Sequence, residues 1–431
     1  MLFSCGNTQS TKSDVQNTND NDASSISNDA NYAFAKADST AINTKNEKQK
    51  TNGIRSQEEP IIVGANRTTE YLPLLQNKKV GVVTNQSGLI FKTSNHSKEQ
   101  STHIVDSLLQ LGVNIKRVYS PEHGFRGTAD AGENVKDGKD ATTGLAIISL
   151  HGKNKKPTQE QLEDIDVLLF DIQDVGVRFY TYISTLTYVM EAAAEKGIPV
   201  IVLDRPNPNA HYIDGPTLEP EHSSFLGMHP IPLVYGMTIG EYAHMVNGEQ
   251  WLTNGIQCEI TVISLQNWDY ETRYSLPTRP SPNLPNDQSI NLYPSLGFFE
   301  GTTINAGRGT EMQFQIFGSP KFPAEYFPFA YTPQPNFGAK SPKEKGNLCN
   351  GMDLREQDYL ARVNLEWLVE AYTAHTDKEN FFKTQSFTLH AGSKKLQEQI
   401  MQGYTFKEIK KGWYADLDRF KETRKKYLIY Q

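Results

Sequence analysis

Cysteine is scarce in this chain. Three occur in 431 residues, Cys5, Cys258 and Cys349. They form no CxxC pair and no Cys/His cluster, so no structural zinc site is expected and no metal is implied. No apolar run reaches the roughly 18 residues that a transmembrane helix needs. Positive charge is not concentrated either: the formal net charge is -7 and no dense Lys/Arg patch stands out, which argues against a nucleic-acid partner. No G-x-G-x-x-G follows the first strand-like segment, where Gln86-Ser87-Gly88 stands, and no Walker pattern occurs. Without those phosphate cradles, neither NAD nor ATP is expected as a cofactor.

The N-terminus is polar. Residues 6–58 are rich in Asn, Ser, Thr, Asp and Lys, with few large apolar side chains. Such a segment buries too little surface to offset chain entropy and reads as a tether. Before it, Met1-Leu2-Phe3-Ser4-Cys5 has the form of the end of a bacterial lipoprotein signal, with Leu2 at -3, Ser4 at -1 and Cys5 as the residue to be lipidated. The expected location is the cell envelope, periplasmic or surface-exposed. Any membrane contact would run through that anchor.

From about residue 60 the texture changes. Near-continuous apolar runs at 79–85, 115–119, 145–150, 167–171 and 199–204 read as buried strands, with helical spacing over 98–111 and 179–196 between them. Strands alternating with helices predict an α/β fold with a Rossmann-like parallel sheet covered on both faces. Thr238 and Glu241 have capping-box spacing at the head of another helix, and 259–265 resembles a further strand. Beyond about 275 the alternation breaks. Helices are expected near 355–374 and 393–402, and 387–390 looks like a strand. The division predicted is 1–58 tether, 59–275 Rossmann-like domain and 276–431 smaller α+β domain, with the active-site cleft between the last two.

Each of the five strands ends in a polar cluster. The first delivers Asn85, the second Glu122 and His123, the third His151, the fourth Asp171, Gln173 and Asp174, the fifth Asp204, Arg205 and Asn207. In open parallel sheets the carboxyl ends share one edge, and ligands bind in the crevice there. Turn chemistry alone explains one or two such loops. It explains poorly five that repeat Glu, His, Arg and Gln.

Several longer strings then line up in order. Ser120-Pro121-Glu122-His123-Gly124 is followed by the run from Phe170 to Tyr182, then Leu203-Asp204-Arg205-Pro206-Asn207-Pro208. Gly236-Met237-Thr238, Pro280-Ser281-Pro282-Asn283 and Gly307-Arg308-Gly309-Thr310 complete the series. Together they resemble the bacterial exo-β-N-acetylmuramidase family (the NamZ type, formerly a domain of unknown function), over roughly residues 60–431. The resemblance implies a glycoside hydrolase that releases terminal N-acetylmuramic acid from the non-reducing end of peptidoglycan fragments, without a cofactor. A non-catalytic surface lipoprotein that binds muropeptides is the alternative.

Glycoside hydrolysis generally uses two carboxyl groups, one of them a proton donor. Glu122 is the expected general acid, with His123 to hold or tune it. Pairing with Arg126 is the structural alternative for Glu122. For the second carboxylate, Asp171, Asp174, Asp204, Glu300 and Glu311 all qualify, with Asp171 and Glu311 weighted first. Retention, inversion and assistance by the sugar's own acetamido group stay open. Muramic acid carries a lactyl carboxylate, which an Arg grips well, and Arg178, Arg205 and Arg308 are the candidates. Tyr180 and Tyr182 are candidates to stack on the sugar, one of the two being expected in the core. Asn85, Gln173, Asp174, Asp204, Asn207, Glu300 and Asn305 complete the expected substrate-binding set.

Overall fold

A computed structural model describes residues 59–126 and 137–430. Cys5 and the 6–58 tether lie outside the described residues. The first half is built on seven strands: Val80–Thr84 (β1), Ile115–Ser120 (β4), Gly138–Lys139 (β5), Ala146–Ser149 (β6), Val167–Asp171 (β7), Val200–Leu203 (β8) and Ile260–Ile263 (β9). Their spatial order is β5-β6-β4-β1-β7-β8-β9. All neighbours run parallel except the β5–β6 pair at one edge. The chain winds from β1 out through β4 to β6, returns to β7, and winds outward again. The order therefore reverses beside β1, where such sheets bind ligands.

Period-two alternation divides each central strand between two faces. Val82, Leu169 and Ile201 join an apolar cluster with Tyr71 and Leu75 from Thr68–Leu75 (α1) and Leu108 from Ile104–Gln110 (α2). Val83, Phe170 and Val202 join the opposite cluster, with Leu186 and Met190 from Tyr182–Lys196 (α3) and Tyr242 and Val246 from Ile239–Gly248 (α4). Both faces being covered is why β1, β7 and β8 read as unbroken apolar runs. Thr238 and Glu241 form the expected capping box on α4.

Between β1 and α2 the helical reading of 98–111 needs correction. Leu89–Phe91 (β2) and Ser101–His103 (β3) pair as an antiparallel ribbon. The His103 side chain accepts from the Val105 N–H, so the helix begins only at Ile104.

The second half contains a three-stranded antiparallel sheet, Ile316–Ser319 (β10), Phe329–Tyr331 (β11) and Cys349–Asp353 (β12), in the order β10-β12-β11. Around it are Asp287–Leu296 (α5), Glu366–Ala374 (α6), Thr384–Ala391 (α7), Lys395–Met401 (α8), Phe406–Lys411 (α9) and Tyr414–Arg424 (α10). The strand expected at 387–390 is thus part of helix α7. The apparent alternation of Phe387 and Leu389 is one turn of a helix that left-handed Gly392 closes.

Candidate active site

Helix α3 and the loop after β4 meet where the sheet order reverses. The β4 loop turns sharply: His123 and Gly124 both lie at positive φ, 71° and 77°. For a residue with a Cβ that conformation costs about 1–3 kcal/mol, and such strain tends to collect at functional sites. The turn presents Glu122 to the start of α3, where the Thr181 hydroxyl donates to Glu122 Oε2 at 3.1 Å. Arg126 is engaged elsewhere, by the Asp140 carboxylate at 2.9 and 3.2 Å. It fastens the far end of the loop.

Glu122 and His123 line a cavity of about 160 Å3, together with Phe179, Tyr180, Thr181, Tyr182, Leu226, Ser281, Leu284, Tyr293, Glu300, Arg308, Phe314 and His390. The second carboxyl group in this space is Glu300. It sits in a short 3-10 helix, Gly297–Gly301, directly after α5. Desolvation works against its charge, but Arg308, Lys343 and His390 outweigh it and hold the carboxyl down at about 2. The Arg308 Nε donates to Glu300 Oε1 at 3.2 Å. Among the described residues the terminal nitrogens of Arg308 form no hydrogen bond, and its guanidinium lies 5.2 Å from the Phe314 ring centre.

The loop that carries Arg308 is shaped by glycine. Gly307 and Gly309 have φ of 79° and 80°, and a Cβ on either would meet backbone at 2.4 and 2.7 Å. Asn305 braces it. Its Oδ1 accepts from Gly307 N at 2.7 Å, and its Nδ2 donates to the carbonyls of Arg308 and Lys343 at 3.0 and 2.8 Å. Asn305 therefore positions Arg308. Lys343 donates in turn to the carbonyls of Phe299 and Glu300 at 2.7 and 3.1 Å. Burial pulls its pKa down to about 8, against the pull of Glu300. His390, on α7, donates from Nδ1 to the Ser386 carbonyl at 2.8 Å. Burial lowers its pKa, against the pull of Glu300.

Several expected site residues prove to be framework. The Asp171 carboxylate is gripped at both oxygens by Arg205, at 2.6 and 2.9 Å, with both side chains fully buried. A carboxylate so neutralised is a brace, and an Arg so occupied has no grip to spare for a lactyl group. Arg178, also fully buried, donates to the carbonyls of Pro216, Ile231, His390 and Ala391. It fixes the end of α7 that carries His390. Glu311 is exposed and lines no part of the cavity.

Asp204 accepts from Arg205 N, Gly240 N, Thr238 Oγ1 and Tyr430 Oη, tying β8 to the head of α4 and the C-terminal segment. Asn85 accepts from Ser87 and donates to Tyr182 Oη. Gln173 donates to the carbonyls of Asp174 and Pro206, and Asn207 to that of Met237. Asp174 is buried outside the cavity lining, holding the Tyr235 hydroxyl and the Gly176 N–H. Burial pushes its pKa up to about 6.

Tyr180 and Tyr182 both reach the cavity wall, yet both hydroxyls donate to the Pro280 carbonyl, at 2.7 and 3.2 Å. They stand edge to face, 4.8 Å apart. That leaves them as a fixed wall rather than a free platform. Thr181, Tyr293, Lys343 and His390 were not anticipated. Thr181 lay inside the 170–182 string and Ser281 inside Pro-Ser-Pro-Asn, so motif membership was a usable signal for both. Nothing local marks His390 or Lys343. As for metals, Glu219, Glu221 and His222 bring ligand atoms within 4.8 Å of one another, but they lie outside the cavity lining and Glu219 pairs with Lys395.

Two glutamates in one cavity, on an α/β scaffold with a second α+β part, suit the two-carboxyl chemistry of a glycoside hydrolase. The chain belongs to the exo-β-N-acetylmuramidase NamZ family. The family's N-terminal part matches residues 80–288 and its C-terminal part residues 291–430. The peptidoglycan β-N-acetylmuramidase NamZ of Bacillus subtilis is 39% identical over 379 residues, covering 84% of this chain and 89% of that protein. Two crystal structures of DUF1343 family proteins from Bacteroides fragilis are also similar. One has a TM-score of 0.78 at 40% identity and the other 0.73 at 30%, and each match covers 86% of this chain and 99% of the other.

Proposed function

We propose that this protein hydrolyses the glycosidic bond of a terminal N-acetylmuramic acid at the non-reducing end of peptidoglycan fragments. The observation that carries the reading is the pairing of Glu122 and Glu300 in one cavity, with Glu300 locked as a carboxylate. Glu300, held at about 2, is ionised at any working pH and has no proton to give. Glu122 is therefore the proton donor to the departing sugar oxygen, in keeping with the rule that two carboxyls in one site take the roles their environments impose. The Glu300 carboxylate offsets the positive charge that develops at the anomeric carbon.

Arg308 is the cation for the lactyl carboxylate. Its Nε is committed to Glu300, which fixes the guanidinium plane, and its terminal nitrogens are available for the two-oxygen grip an Arg provides. Glu122→Gln should lower kcat on an N-acetylmuramic acid glycoside by roughly 10^2–10^4-fold, the usual range for a lost general acid, with unchanged folding. Near-normal turnover would overturn the assignment. Sugar binding without any release by the wild type would instead mark a non-catalytic surface lipoprotein.

The cell envelope is the proposed location, with acylation at Cys5 and residues 6–58 as the tether. The support is the Leu2–Cys5 pattern and the polar composition that follows it. An unmodified Cys5 in mass spectra of protein from its native host would remove the anchor. The division into a Rossmann-like part, 59–275, and a smaller α+β part, 276–431, belongs to the same proposal.

A further inference from the structure

We infer that Phe337 forms a subsite for the leaving side of the scissile bond, where its ring packs against the face of the sugar next to the terminal muramic acid. This rests on the hydrolytic reading above and adds to it the place where the departing saccharide is held.

Phe337 is 56% exposed. Its ring makes no aromatic or cation contact among the described residues. An exposed phenylalanine on a surface is unremarkable by itself. Its mounting is what matters. Phe337 sits at the tip of a tight turn in which Asn336 and Ala339 exchange both backbone hydrogen bonds at 3.1 Å. That turn is clamped on two sides, and each clamp leads to the cavity.

On one side, Asn283 Nδ2 donates to the Gly338 carbonyl at 2.7 Å. Gly338 lies at φ 88°, and a Cβ there would stand 2.6 Å from Pro282 Cβ. Pro282 and Asn283 lie between Ser281 and Leu284, which both line the cavity. On the other side, Asn336 Nδ2 donates to the Thr310 carbonyl at 2.9 Å, and Gln334 N donates to the Gly309 carbonyl at 2.8 Å. Those residues follow Arg308, again part of the lining. The turn thus bridges two loops that contribute to the cavity wall, with Phe337 exposed at its tip.

The chemistry of the substrate fits that position. The cavity takes the terminal sugar, and the next pyranose must emerge past its rim. One face of a pyranose is a patch of C–H bonds that packs well on an aromatic ring, since an aromatic side chain offers a large apolar surface with a negative face. Because the turn is held by five hydrogen bonds and a glycine contact, little further ordering is needed when the sugar arrives.

The test compares two substrates that share the muramic acid part. One is the N-acetylmuramyl-N-acetylglucosamine disaccharide without stem peptide. The other is N-acetylmuramyl fluoride, whose leaving group has no ring. For Phe337→Ala, kcat/KM on the disaccharide should fall about tenfold, the factor that ~1.4 kcal/mol of lost contact produces. On the fluoride it should stay within about twofold, since no leaving-side contact exists to lose. Phe337→Trp should retain disaccharide activity. Equal losses on both substrates, or no loss on either, would overturn the subsite while leaving the hydrolytic reading intact. A wild type inactive on both substrates would overturn that reading, and this subsite with it.

Discussion

Glu300 shows how one side chain is set by its neighbours. Desolvation alone would favour its neutral form. Arg308 at 3.2 Å and the half-buried Lys343 behind it reverse that outcome and leave the carboxyl at about 2. The shift is also a statement about stability. Glu300 ionises more readily in the folded chain than in the unfolded one, whose carboxyl titrates near the usual 4.5. Its stabilisation is therefore complete above about 4.5 and is lost as pH falls from there to about 2. Glu300→Gln lacks that contribution at every pH. The gap in urea-unfolding free energy between wild type and variant should shrink by ~1–3 kcal/mol across that window, the lower end reflecting partial solvent screening. A gap independent of pH would show that Glu300 is not held as a carboxylate. Asp171, by contrast, shows how a motif misleads. Its position at the end of a central strand looked catalytic, but a partner 34 residues on neutralises it.

At the scale of elements, the first half of the fold was legible because its elements announce themselves. The strands β1, β7 and β8 are buried on both faces, so nearly every residue is apolar and the run stands out with little ambiguity at its ends. β7 was expected at 167–171 and found there. Helix α3 ends at Lys196, as expected, where Gly197 adopts the left-handed cap. Legibility failed where short elements compete. Ser101–His103 reads as part of a helix because nothing local reveals the ribbon partner Leu89–Phe91. Helix α7 has only eight residues and hides its period behind Phe387 and Leu389. The site divides in the same way. Glu122, at a strand's carboxyl end, follows from topology, because the sheet edge is where such ends collect. Glu300 was one of five candidate carboxylates, and spacing could not single it out because it sits in a 3-10 turn that reaches the cavity through packing; His390 arrives from α7 nearly 270 residues after Glu122. Long-range convergence of that kind leaves no mark in local spacing.

For the whole molecule, the apolar packing does not stop at residue 276. One core cluster runs from Val83, Leu168 and Phe170 of the large sheet, through Leu186 and Tyr242, to Phe299, Phe317, Phe387 and Phe420. By comparison, the cluster that is private to the small sheet is built on Ile316, Tyr331 and Cys349, with Met312 and Phe329 packed against it. Most buried apolar residues beyond 276 belong to the shared cluster instead, so the C-terminal part has no sizeable core separate from that of the large sheet. Arg178 adds a polar seam, since it lies before α3 and is bonded to the end of α7. The C-terminal Tyr430 adds another, donating to Asp204 after β8. The cavity depends on this union, because Glu122 comes from one part and Glu300 from the other. Residues 59–430 should therefore unfold in one cooperative step, with calorimetric and van't Hoff enthalpies in agreement. Residues 291–430 expressed alone should lack a cooperative transition. Two resolved transitions in the intact chain, or a folded isolated C-terminal part, would show that each half carries its own core and that the cavity is assembled by docking rather than by folding.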